Sequence, residues 1–524
     1  MRILLSAMLI AASGLAATCE SLTGVKLAGA NIQSARTVAA GTFAPPRAEV
    51  PVAAPVNYKA LPAFCRVQGV LQPSSDSHIE FEVWLPASGW NGRYEGLGNG
   101  GFAGAIDYPG LADAVANGYA ASASDTGHKG SAIDARWALG HPEKVADFGY
   151  RAVHETAEKA KTLITTFYGN QARRSYFSSC SNGGREALME AQRYPTDYDG
   201  ILAGAPANDW THLLANAAEE TQILGDPAKF IPPSKLPAIQ AATLAACDAQ
   251  DGVKDGIIND PSRCKFDSSV LLCKGAESES CLTGPQAASL QRLYAGAVDS
   301  AGKTIFPGRL PGGEVGSATW SLWITGQAPG TSLMYSFATQ YFANMVFEDA
   351  AWDYHTFQMD RGLKVADDKT ARILNATDPD LKRFRDRSGK LIVYHGWNDP
   401  AISALSSVNY FRSVQGKMGA KQTDGFFRLY LAPGMAHCGG GPGPDVFGQA
   451  IGQAADPEHS VSKALERWVE NEVAPDRIIA TKYTTGPNPS VARTRPLCPY
   501  PQVASYRGSG AMDDAANFAC VEPK

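Results

Sequence analysis

The chain has 524 residues, of which 44% are hydrophobic and 19% are charged, and its formal net charge is −5. This composition is that of an ordinary globular protein and excludes a disordered chain. The length suggests about two to four domains, or one large domain with a long insertion. The weak negative charge offers no basic surface, so nucleic acid is not expected as a partner.

Residues 1–18, MRILLSAMLIAASGLAAT, are predicted to be a signal peptide. One arginine precedes an apolar run, and small residues follow it, as at a secretory cleavage site. A core helix is one alternative. A lipoprotein is another, with the lipid on Cys19, but Thr18 is a poor residue before a lipid-carrying cysteine. No later stretch is long and apolar enough to span a bilayer, so no membrane association is expected for the mature chain. The protein is therefore predicted to be secreted or periplasmic.

Ten cysteines are present, and an even number in an exported chain favours disulfides. The absence of a Cys-x-x-Cys pair argues against a zinc or iron–sulfur site, and no organic cofactor is expected. Local spacing suggests three short-range pairs, which are Cys247 with Cys264, Cys273 with Cys281, and Cys498 with Cys520.

Short apolar runs alternate with helical stretches from about residue 77 to 207. The strand-like runs are IEFEVWLP, the start of GRYEGLGNGGFAGAIDY, GYAASAS, RRSYFSSCS and YDGILAGAPA. The helical stretches are DFGYRAVHETAEKAKTLITTFYG, which ends at Gly169, and GGREALMEAQRYP, which stops at Pro195. This alternation predicts an α/β fold with a parallel sheet.

The alternation breaks in a segment with four cysteines, an acidic loop and many aromatic residues. We interpret residues 208–385 as an inserted lid domain. The α/β pattern then resumes with GKLIVYHGWNDP, FFRLYLAPGMAHCGGGPG and the amphipathic helix SKALERWVENEVAP. The predicted catalytic domain therefore consists of residues 19–207 and 386–524.

Ser181 lies at the predicted turn between a strand and a helix, in the sequence SCSNG. A nucleophile elbow places its serine at such a turn and needs small residues two positions before and after it. Ser179 stands where glycine is usual, and Gly183 follows. The helix N-terminus would direct N–H groups at the reaction centre. A plain turn with an N-cap serine is the alternative interpretation.

A catalytic serine needs a base and an orienting carboxylate, which in an α/β-hydrolase follow in the order Ser, Asp, His. Asp399 follows the predicted strand LIVYHGWN, and His437 follows RLYLAPGMA, so both occur in this order beyond the lid. Among competing histidines, His154 is interpreted as structural in a helix and His395 is expected to be buried. His128, in DTGH, is the second choice for the site region.

An oxyanion hole needs two backbone N–H donors. One is predicted at Asn182, and the other at Gly100 or Gly101 in the glycine-rich segment GLGNGGFAG. A flexible surface loop is the alternative. A phosphate-binding loop is excluded because no Lys-Ser/Thr follows.

Cys438 directly follows His437, as Cys180 directly precedes Ser181. If the serine and the histidine hydrogen-bond, their neighbours lie within a few ångströms, and a Cys180–Cys438 disulfide is geometrically reasonable. A reactive thiol is the weaker alternative, because a free thiol in an exported protein tends to oxidise.

The lid segment CDAQDGVKDGII contains three aspartates among small turn residues. Calcium takes about six to eight oxygen ligands. Here they would include the carboxylates of Asp248, Asp251 and Asp255 and the carbonyls of Val253 and Ile257. The spacing is not that of an EF-hand, and a solvated acidic turn is the alternative.

The chain resembles the tannase and feruloyl esterase family, which includes fungal feruloyl esterases, tannases and a hydrolase of mono(2-hydroxyethyl) terephthalate. The resemblance runs from about residue 20 to the C-terminus. It is carried by SARTVAAGTFAPP, GNGGFAG, DTGH, RAVHETAEKAKTLITTFYG, CSNGGREALMEAQRYPTDYDGILAGAPA, YHGWNDP and AHCGGGPG. It implies an α/β-hydrolase fold with Ser181, Asp399 and His437 as the catalytic triad and Cys180–Cys438 as a tether.

The resemblance implies three further properties. Cys19 is suggested to pair with Cys65, which uses all ten cysteines. A structural calcium ion is implied at the same lid residues, remote from the chemistry. The implied activity is hydrolysis of a small or plant-polymer-derived aromatic ester, by a monomer or a dimer.

The substrate is predicted to be an ester of a hydroxycinnamic acid such as ferulic acid. Trp320, Trp323 and Phe342 of the lid are expected to line an aromatic pocket, and lid core is the alternative role. Gallate esters are an alternative substrate. Terephthalate monoesters are less favoured, because the related enzyme holds the free carboxylate with a lid arginine and none occurs here between Arg309 and Arg361. A catalytically dead polyphenol- or carbohydrate-binding protein is the alternative from another class.

Overall fold

The structure is a computed structural model that describes residues 17–46, 56–316, 318–449 and 456–523. The predicted signal peptide lies outside the described residues except for its last two positions. Within these ranges, no helix combines the length and the apolar character that a membrane crossing requires.

The strands of the described ranges, in chain order, form one large sheet and three two-stranded sheets. They are β1 (Ala30–Val38), β2 (Phe64–Leu71), β3 (Ile79–Pro86), β4 (Arg93–Leu97), β5 (Ala120–Ser124), β6 (Arg174–Cys180), β7 (Gly200–Gly204), β8 (Gly296–Val298), β9 (Thr304–Pro307), β10 (Lys390–Gly396), β11 (Phe427–Ala432), β12 (Ile478–Tyr483), β13 (Val491–Leu497), β14 (Val503–Tyr506) and β15 (Phe518–Val521).

Helices flank the large sheet and make up much of the lid. They are α1 (Tyr108–Ala116), α2 (Pro142–Ala146), α3 (Ala152–Tyr168), α4 (Asn182–Arg193), α5 (Trp210–Gly225), α6 (Leu236–Cys247), α7 (Gly284–Ala295), α8 (Trp320–Trp323), α9 (Leu333–Tyr341), α10 (Met359–Ala366), α11 (Arg372–Leu374), α12 (Lys382–Asp386), α13 (Ala404–Met418), α14 (Ala420–Asp424) and α15 (Val461–Asn471).

The large sheet has the strand order β1-β2-β3-β5-β4-β6-β7-β10-β11. The strands from β5 to β11 in this order are parallel, as the alternating sequence pattern predicts. β1, β2 and β3 form an antiparallel edge, and β3 joins β5 in antiparallel pairing. Strands β5 and β7 are buried along their whole length, which accounts for their continuous runs of small and apolar residues.

The carboxyl ends of the parallel strands bring four predicted site segments to one edge of the sheet. The glycine-rich segment follows β4, and Ser181 follows β6. Asp399 and His437 follow β10 and β11. These four strands belong to the same sheet, so residues far apart in sequence share one crevice.

The predicted lid is inserted between β7 and β10, which are neighbours in the sheet. Its aromatic residues form a separate buried cluster that includes Trp320 and Phe342. Phe102, Phe148 and Ile402 from the catalytic part pack into the same cluster. The lid therefore shares its core with the loops around the site. Its exact sequence bounds stay a prediction.

Disulfides pair all ten cysteines, and no free cysteine remains. The pairs are Cys19–Cys65, Cys180–Cys438, Cys247–Cys264, Cys273–Cys281 and Cys498–Cys520. They are the pairs that the spacing, the adjacency to the candidate triad and the family resemblance predict.

Candidate active site

Ser181 occupies a sharp turn between β6 and α4. Its backbone has φ 68° and ψ −123°, a strained conformation for a non-glycine residue. The turn is tight enough that a Cβ added to Gly183 would lie 1.8 Å from the Oγ of Ser179. The backbone N–H of Ser181 donates to the carbonyl of Gly204 at 2.9 Å. This is the geometry of a nucleophile elbow, which holds the serine hydroxyl at the edge of the sheet.

Ser181, His437 and Asp399 form one hydrogen-bonded chain. The Oγ of Ser181 lies 2.9 Å from Nε2 of His437, and Nδ1 of His437 lies 2.7 Å from Oδ2 of Asp399. A neutral imidazole that donates through Nδ1 to the carboxylate leaves its Nε2 lone pair to accept the serine proton. The arrangement can therefore activate a serine nucleophile.

The carboxylate of Asp399 is fully buried but strongly stabilised in its ionised form. Oδ1 accepts the N–H groups of Ala401 and Ile402 at 2.7 and 2.9 Å. Burial opposes ionisation, but the charge of His437 and the hydrogen bonds from His437 and His395 outweigh it and hold the pKa of Asp399 well below its usual value. An ionised aspartate can stabilise the imidazolium that forms when His437 takes up a proton.

His395 is a partner of Asp399 that the sequence analysis did not assign. It is fully buried, as expected, with Nε2 3.2 Å from Oδ2 of Asp399. Its Nδ1 lies 2.8 Å from Oγ of Ser407, which fixes the ring from the other side. The spacing of four residues in HGWND is the only sequence signal that could have found this contact.

The Cys180–Cys438 disulfide joins the residue before Ser181 to the residue after His437. Its Cα atoms are 6.0 Å apart. Cys438 has φ 61°, so the loop that carries His437 turns sharply at the bond. The disulfide holds this loop against the nucleophile turn.

The glycine-rich loop lies across the crevice from α4. Gly101 has φ 58°, and a Cβ there would lie 2.2 Å from the carbonyl of Ala132. The N–H of Phe102 donates to that same carbonyl at 2.7 Å. In the part of the chain that the structure describes, the N–H groups of Gly100, Gly101 and Asn182 have no intramolecular acceptor. They can therefore donate to a bound oxygen.

His128, the second candidate for the site region, supports this loop and does not contact the triad. Its Nε2 lies 2.7 Å from the carbonyl oxygen of Phe102, and its ring stacks on Trp137 at 3.8 Å. Burial lowers the pKa of His128 to about 4, so the ring is neutral at ordinary pH. His154 lies in helix α3, and its Nδ1 is 2.6 Å from Oδ2 of Asp197.

Trp323 is the lid aromatic that reaches the triad. Its ring centroid is 4.9 Å from that of His437, in an edge-to-face arrangement. Phe337 lies parallel to Trp323 at 6.1 Å and also contacts Phe102 of the glycine-rich loop at 5.3 Å. Trp323, Phe337 and Phe102 together form an aromatic wall beside the base.

Trp320 and Phe342 belong to the buried interior of the lid. Trp320 is 1% exposed and packs edge-on against Tyr294, and Phe342 is 0% exposed. Phe342 contacts Tyr341 and Phe357 at 5.0 and 4.8 Å. Neither side chain offers an accessible pocket surface, so the expected pocket role is corrected to lid core for both residues.

The acidic lid loop is closed by its own carboxylates. Asp248 accepts the N–H groups of Asp255 and Gly256 at 3.3 and 3.0 Å, and Asp251 accepts that of Val253 at 2.9 Å. Burial raises the pKa of Asp251 to about 6, and the charges of Asp255 and Asp248 add to the rise. Within the described ranges, the carbonyls of Val253 and Ile257 accept no hydrogen bond.

The carboxylates of this loop do not converge tightly on one point. Among the described residues, only His154, Glu190 and Asp197 bring ligand atoms of three His, Cys, Asp or Glu side chains within 4.8 Å of one another. Asp255 forms an ion pair with Arg495. The loop supplies hard oxygen donors of the kind that calcium prefers, in a less compact arrangement than three shared carboxylates would give.

Comparisons with known proteins identify the family of this chain. A family model described as tannase and feruloyl esterase matches residues 65–521. An uncharacterised esterase of Xanthomonas campestris pv. campestris is 43% identical over 98% of this chain and 93% of its own length. Feruloyl esterase B of Aspergillus niger is 34% identical over 95% of this chain and 94% of its own length.

A solved structure shows the same fold. The crystal structure of feruloyl esterase B from Aspergillus oryzae has a TM-score of 0.87 and 31% identity, and the match covers 96% of this chain and 99% of that chain. The mostly parallel sheet with an inserted lid is accordingly an α/β-hydrolase fold. This chain belongs to the tannase and feruloyl esterase family of carboxylic ester hydrolases.

Proposed function

We propose that this protein is a serine esterase that hydrolyses esters of hydroxycinnamic acids, such as ferulic acid, through an acyl-enzyme. The observation that carries the proposal is the hydrogen-bonded chain from Ser181 Oγ through His437 to Asp399, at 2.9 and 2.7 Å. It also argues against a catalytically dead binding protein. Relatives named feruloyl esterase B match nearly the whole chain and support the substrate class.

The mechanism follows from the positions of the donors and acceptors. Ser181 Oγ attacks the ester carbonyl carbon while Nε2 of His437 takes the serine proton, and Asp399 stabilises the imidazolium. The N–H groups of Asn182 and of Gly100 or Gly101 stabilise the oxyanion. The carbon–oxygen ester bond then breaks, and the alcohol leaves with the proton from His437.

Water completes the cycle. His437 accepts a proton from the water molecule as its oxygen attacks the acyl-enzyme carbonyl. The second tetrahedral intermediate collapses, the proton returns to Ser181 Oγ, and the aromatic acid departs. Each half-reaction uses the same base and the same pair of backbone donors.

The aromatic wall supports an aromatic acyl group. Trp323 lies 4.9 Å from His437, so an acyl ring held against this wall would be next to the reacting carbonyl. The wall consists of apolar or largely apolar side chains, which suits a feruloyl group. They are those of Trp323, Phe337 and Phe102. Gallate esters remain a second candidate because the matching family model includes tannases.

A substrate panel tests the proposal. We expect the wild type to hydrolyse methyl ferulate with a higher kcat/KM than methyl gallate or mono(2-hydroxyethyl) terephthalate. Ser181→Ala removes the nucleophile and should lower kcat by about 10⁴-fold or more on every substrate. Circular dichroism of the variant controls for folding. Equal turnover by both proteins would overturn the triad assignment, and no turnover by the wild type would favour a binding protein.

We further propose a structural calcium ion in the acidic lid loop. The donor set would be the carboxylates of Asp248, Asp251 and Asp255 with the carbonyls of Val253 and Ile257. The two carbonyls are free of other hydrogen bonds in the described chain, and Asp255 and Asp248 add negative charge beside Asp251 that a cation would offset. When bound, the ion would order the lid and would take no part in ester chemistry.

Finally, we propose that the protein is exported. Five disulfides, one of them beside the nucleophile, support folding in an oxidising compartment. The N-terminal sequence supports a cleaved signal peptide. Mass spectrometry of the periplasmic or secreted protein should find a new N-terminus close to Cys19. An intact Met1 on exported protein would contradict cleavage.

A further inference from the structure

Glu186 is a buried carboxylate that the mechanism above does not use. It lies one turn into α4 and is 1% exposed. Its Oε1 accepts a hydrogen bond from Nδ2 of Asn182 at 3.0 Å, and its Oε2 accepts the backbone N–H of Asn99 at 2.9 Å. Asn182 follows the nucleophile, and Asn99 immediately precedes Gly100. One carboxylate therefore joins the two segments that carry the candidate oxyanion donors.

The side chain of Asn182 is held from both ends. Its Oδ1 accepts from Nε of Arg185 at 2.8 Å, while its Nδ2 donates to Glu186. Arg185 is 0% exposed and donates to the carbonyls of Gly149 and Phe148 at 2.6 and 3.0 Å. The Arg185 guanidinium and the Glu186 carboxyl group thus hold the amide between them. Asn182 cannot flip its amide without losing both bonds.

The other end of the connection is equally constrained. Nδ2 of Asn99 donates to the carbonyls of Ala105 and Ser124 at 2.7 and 3.0 Å, which fixes the base of the glycine-rich loop. The N–H of Phe102 closes the tip of the loop on Ala132. Two contacts therefore connect this loop to α4: the Glu186 contact, and a direct hydrogen bond at 3.4 Å from Nδ2 of Asn182 to the carbonyl of Asn99.

We propose that Glu186 is a positioning residue that sets the separation between the two backbone donors of the oxyanion hole. It holds the N–H of Asn182 on one side of the crevice and the Gly100–Gly101 backbone on the other. Preorganised donors stabilise an oxyanion because they need no rearrangement as charge develops. This inference rests on the proposed serine-esterase function.

Glu186→Gln is the variant that tests the connection. The amide is nearly isosteric but has one acceptor oxygen and one donor nitrogen, whereas both native partners of the carboxylate are donors. One of the two bonds is therefore replaced by a donor–donor contact. Loss of one oxyanion donor costs about 10²–10³ in kcat, and we expect displacement of a donor to cost about 10- to 100-fold. KM for methyl ferulate should change little, because the effect arises in the transition state.

Glu190→Gln is the matched control. Glu190 lies one turn further along the same helix and is also 1% exposed, but it belongs to the cluster with His154 and Asp197. We expect this variant to retain the wild-type kcat whatever its melting temperature. A kcat for Glu186→Gln equal to the wild type, or equal losses in both variants, would overturn the proposal.

Asn182→Ala provides a second variant in case Glu186→Gln does not fold. It keeps the backbone N–H at position 182 and removes the clamped side chain. We expect a lower kcat with little change in KM, and an unchanged kcat would overturn the proposal. Ser181→Ala distinguishes a failure of the proposed esterase function from a failure of the proposed role of Glu186. If it retains activity, the proposed function fails. If it is inactive while Glu186→Gln keeps full kcat, only the role of Glu186 fails.

Discussion

Asp399 is held by donors from two directions. The N–H groups of Ala401 and Ile402 fix Oδ1, and His437 and His395 approach Oδ2. Of the two histidines at this carboxylate, His437 takes part in the proton transfer and His395 does not. His395 stabilises the ionised state of Asp399 without approaching Ser181, so its contribution can be measured separately from the transfer itself.

His395→Phe should make the protein less tolerant of acid. A carboxylate with a lowered native pKa adds stability above its unfolded value, about 3.9, and this contribution is lost as pH falls through the native pKa. Without His395, burial of Asp399 is less well offset and its native pKa rises. We expect both Tm and kcat to decline at a higher pH in the variant than in the wild type.

The control for this experiment is Ser407→Ala. It removes the other partner of the His395 ring and leaves the contact with Asp399 in place. The decline of its Tm and kcat at low pH should stay close to that of the wild type. Superimposable profiles for His395→Phe and the wild type, in both Tm and kcat, would show that His395 does not sustain the ionisation of Asp399.

The residues of the hydrogen-bonded chain were predictable from the sequence because each follows an apolar run, in the order of an α/β-hydrolase triad. Ser181, Asp399 and His437 carry local signals of this kind. Phe337 and Glu186 do not, because their contacts with Phe102 and Asn99 join segments that are distant in sequence. Burial of an aromatic or an acid on a helix gives no local indication of which distant loop it touches.

At the scale of elements, the lid is anchored on the loop that carries Asp399. Arg309 and Glu220 form a buried ion pair in the lid, and Nη1 of Arg309 donates to the carbonyl of Ala401 at 2.7 Å. The hydroxyl of Ser403 donates to the carbonyl of Gly308 at 2.7 Å. The lid is thus part of the support of the acid loop, and its order bears on catalysis.

Calcium removal tests the proposed lid ion. A metal that binds only the native chain stabilises it by about 2.7 kcal/mol at a free concentration 100 times its Kd. We expect a calcium chelator to lower Tm and added calcium to restore it. Elemental analysis should find calcium in the wild type and less in Asp251→Asn.

Asp226→Asn, in the same lid but outside the acidic loop, serves as the control. Asp226 is half-buried, forms an ion pair with Lys229 and accepts the backbone N–H of Ala228. Its replacement should leave both the calcium content and the response to chelator unchanged. Wild-type protein without bound calcium and with a chelator-independent Tm would contradict the proposed site.

The order of strands and helices along the chain was more predictable from the sequence than the directions of the strands within the sheet. The predicted run IEFEVWLP is β3, and the helix expected to end at Gly169 does so, with φ 70° at that glycine. The antiparallel edge of β1, β2 and β3 was not anticipated. The alternation of apolar residues shows which face of a strand is buried. It does not show whether the neighbouring strand runs parallel or antiparallel.

At the scale of the whole molecule, Cys180–Cys438 connects the two halves of the catalytic domain across the lid. The two cysteines are 258 positions apart. Replacement of both by serine should lower the free energy of unfolding by about 2–5 kcal/mol, because the unfolded chain regains the entropy of a long loop. It should also lower kcat, because the His437 loop is then free to move relative to Ser181.

Cys498→Ser with Cys520→Ser is the matched double replacement. This disulfide joins cysteines 22 positions apart in the C-terminal tail and has no contact with the triad. We expect a lower Tm with unchanged kcat. If the Cys180 and Cys438 double variant likewise loses only stability, this disulfide stabilises the fold but does not position His437.

The distance in sequence between the nucleophile and its base also has a consequence for biosynthesis. Ser181 leaves the ribosome 256 residues before His437, and β7 must wait for the whole lid before β10 can pair with it. A growing or prematurely terminated chain therefore contains the serine without its base. Hydrolytic activity therefore requires the last two strands of the large sheet, β10 and β11, so the onset of activity reports that this sheet is complete.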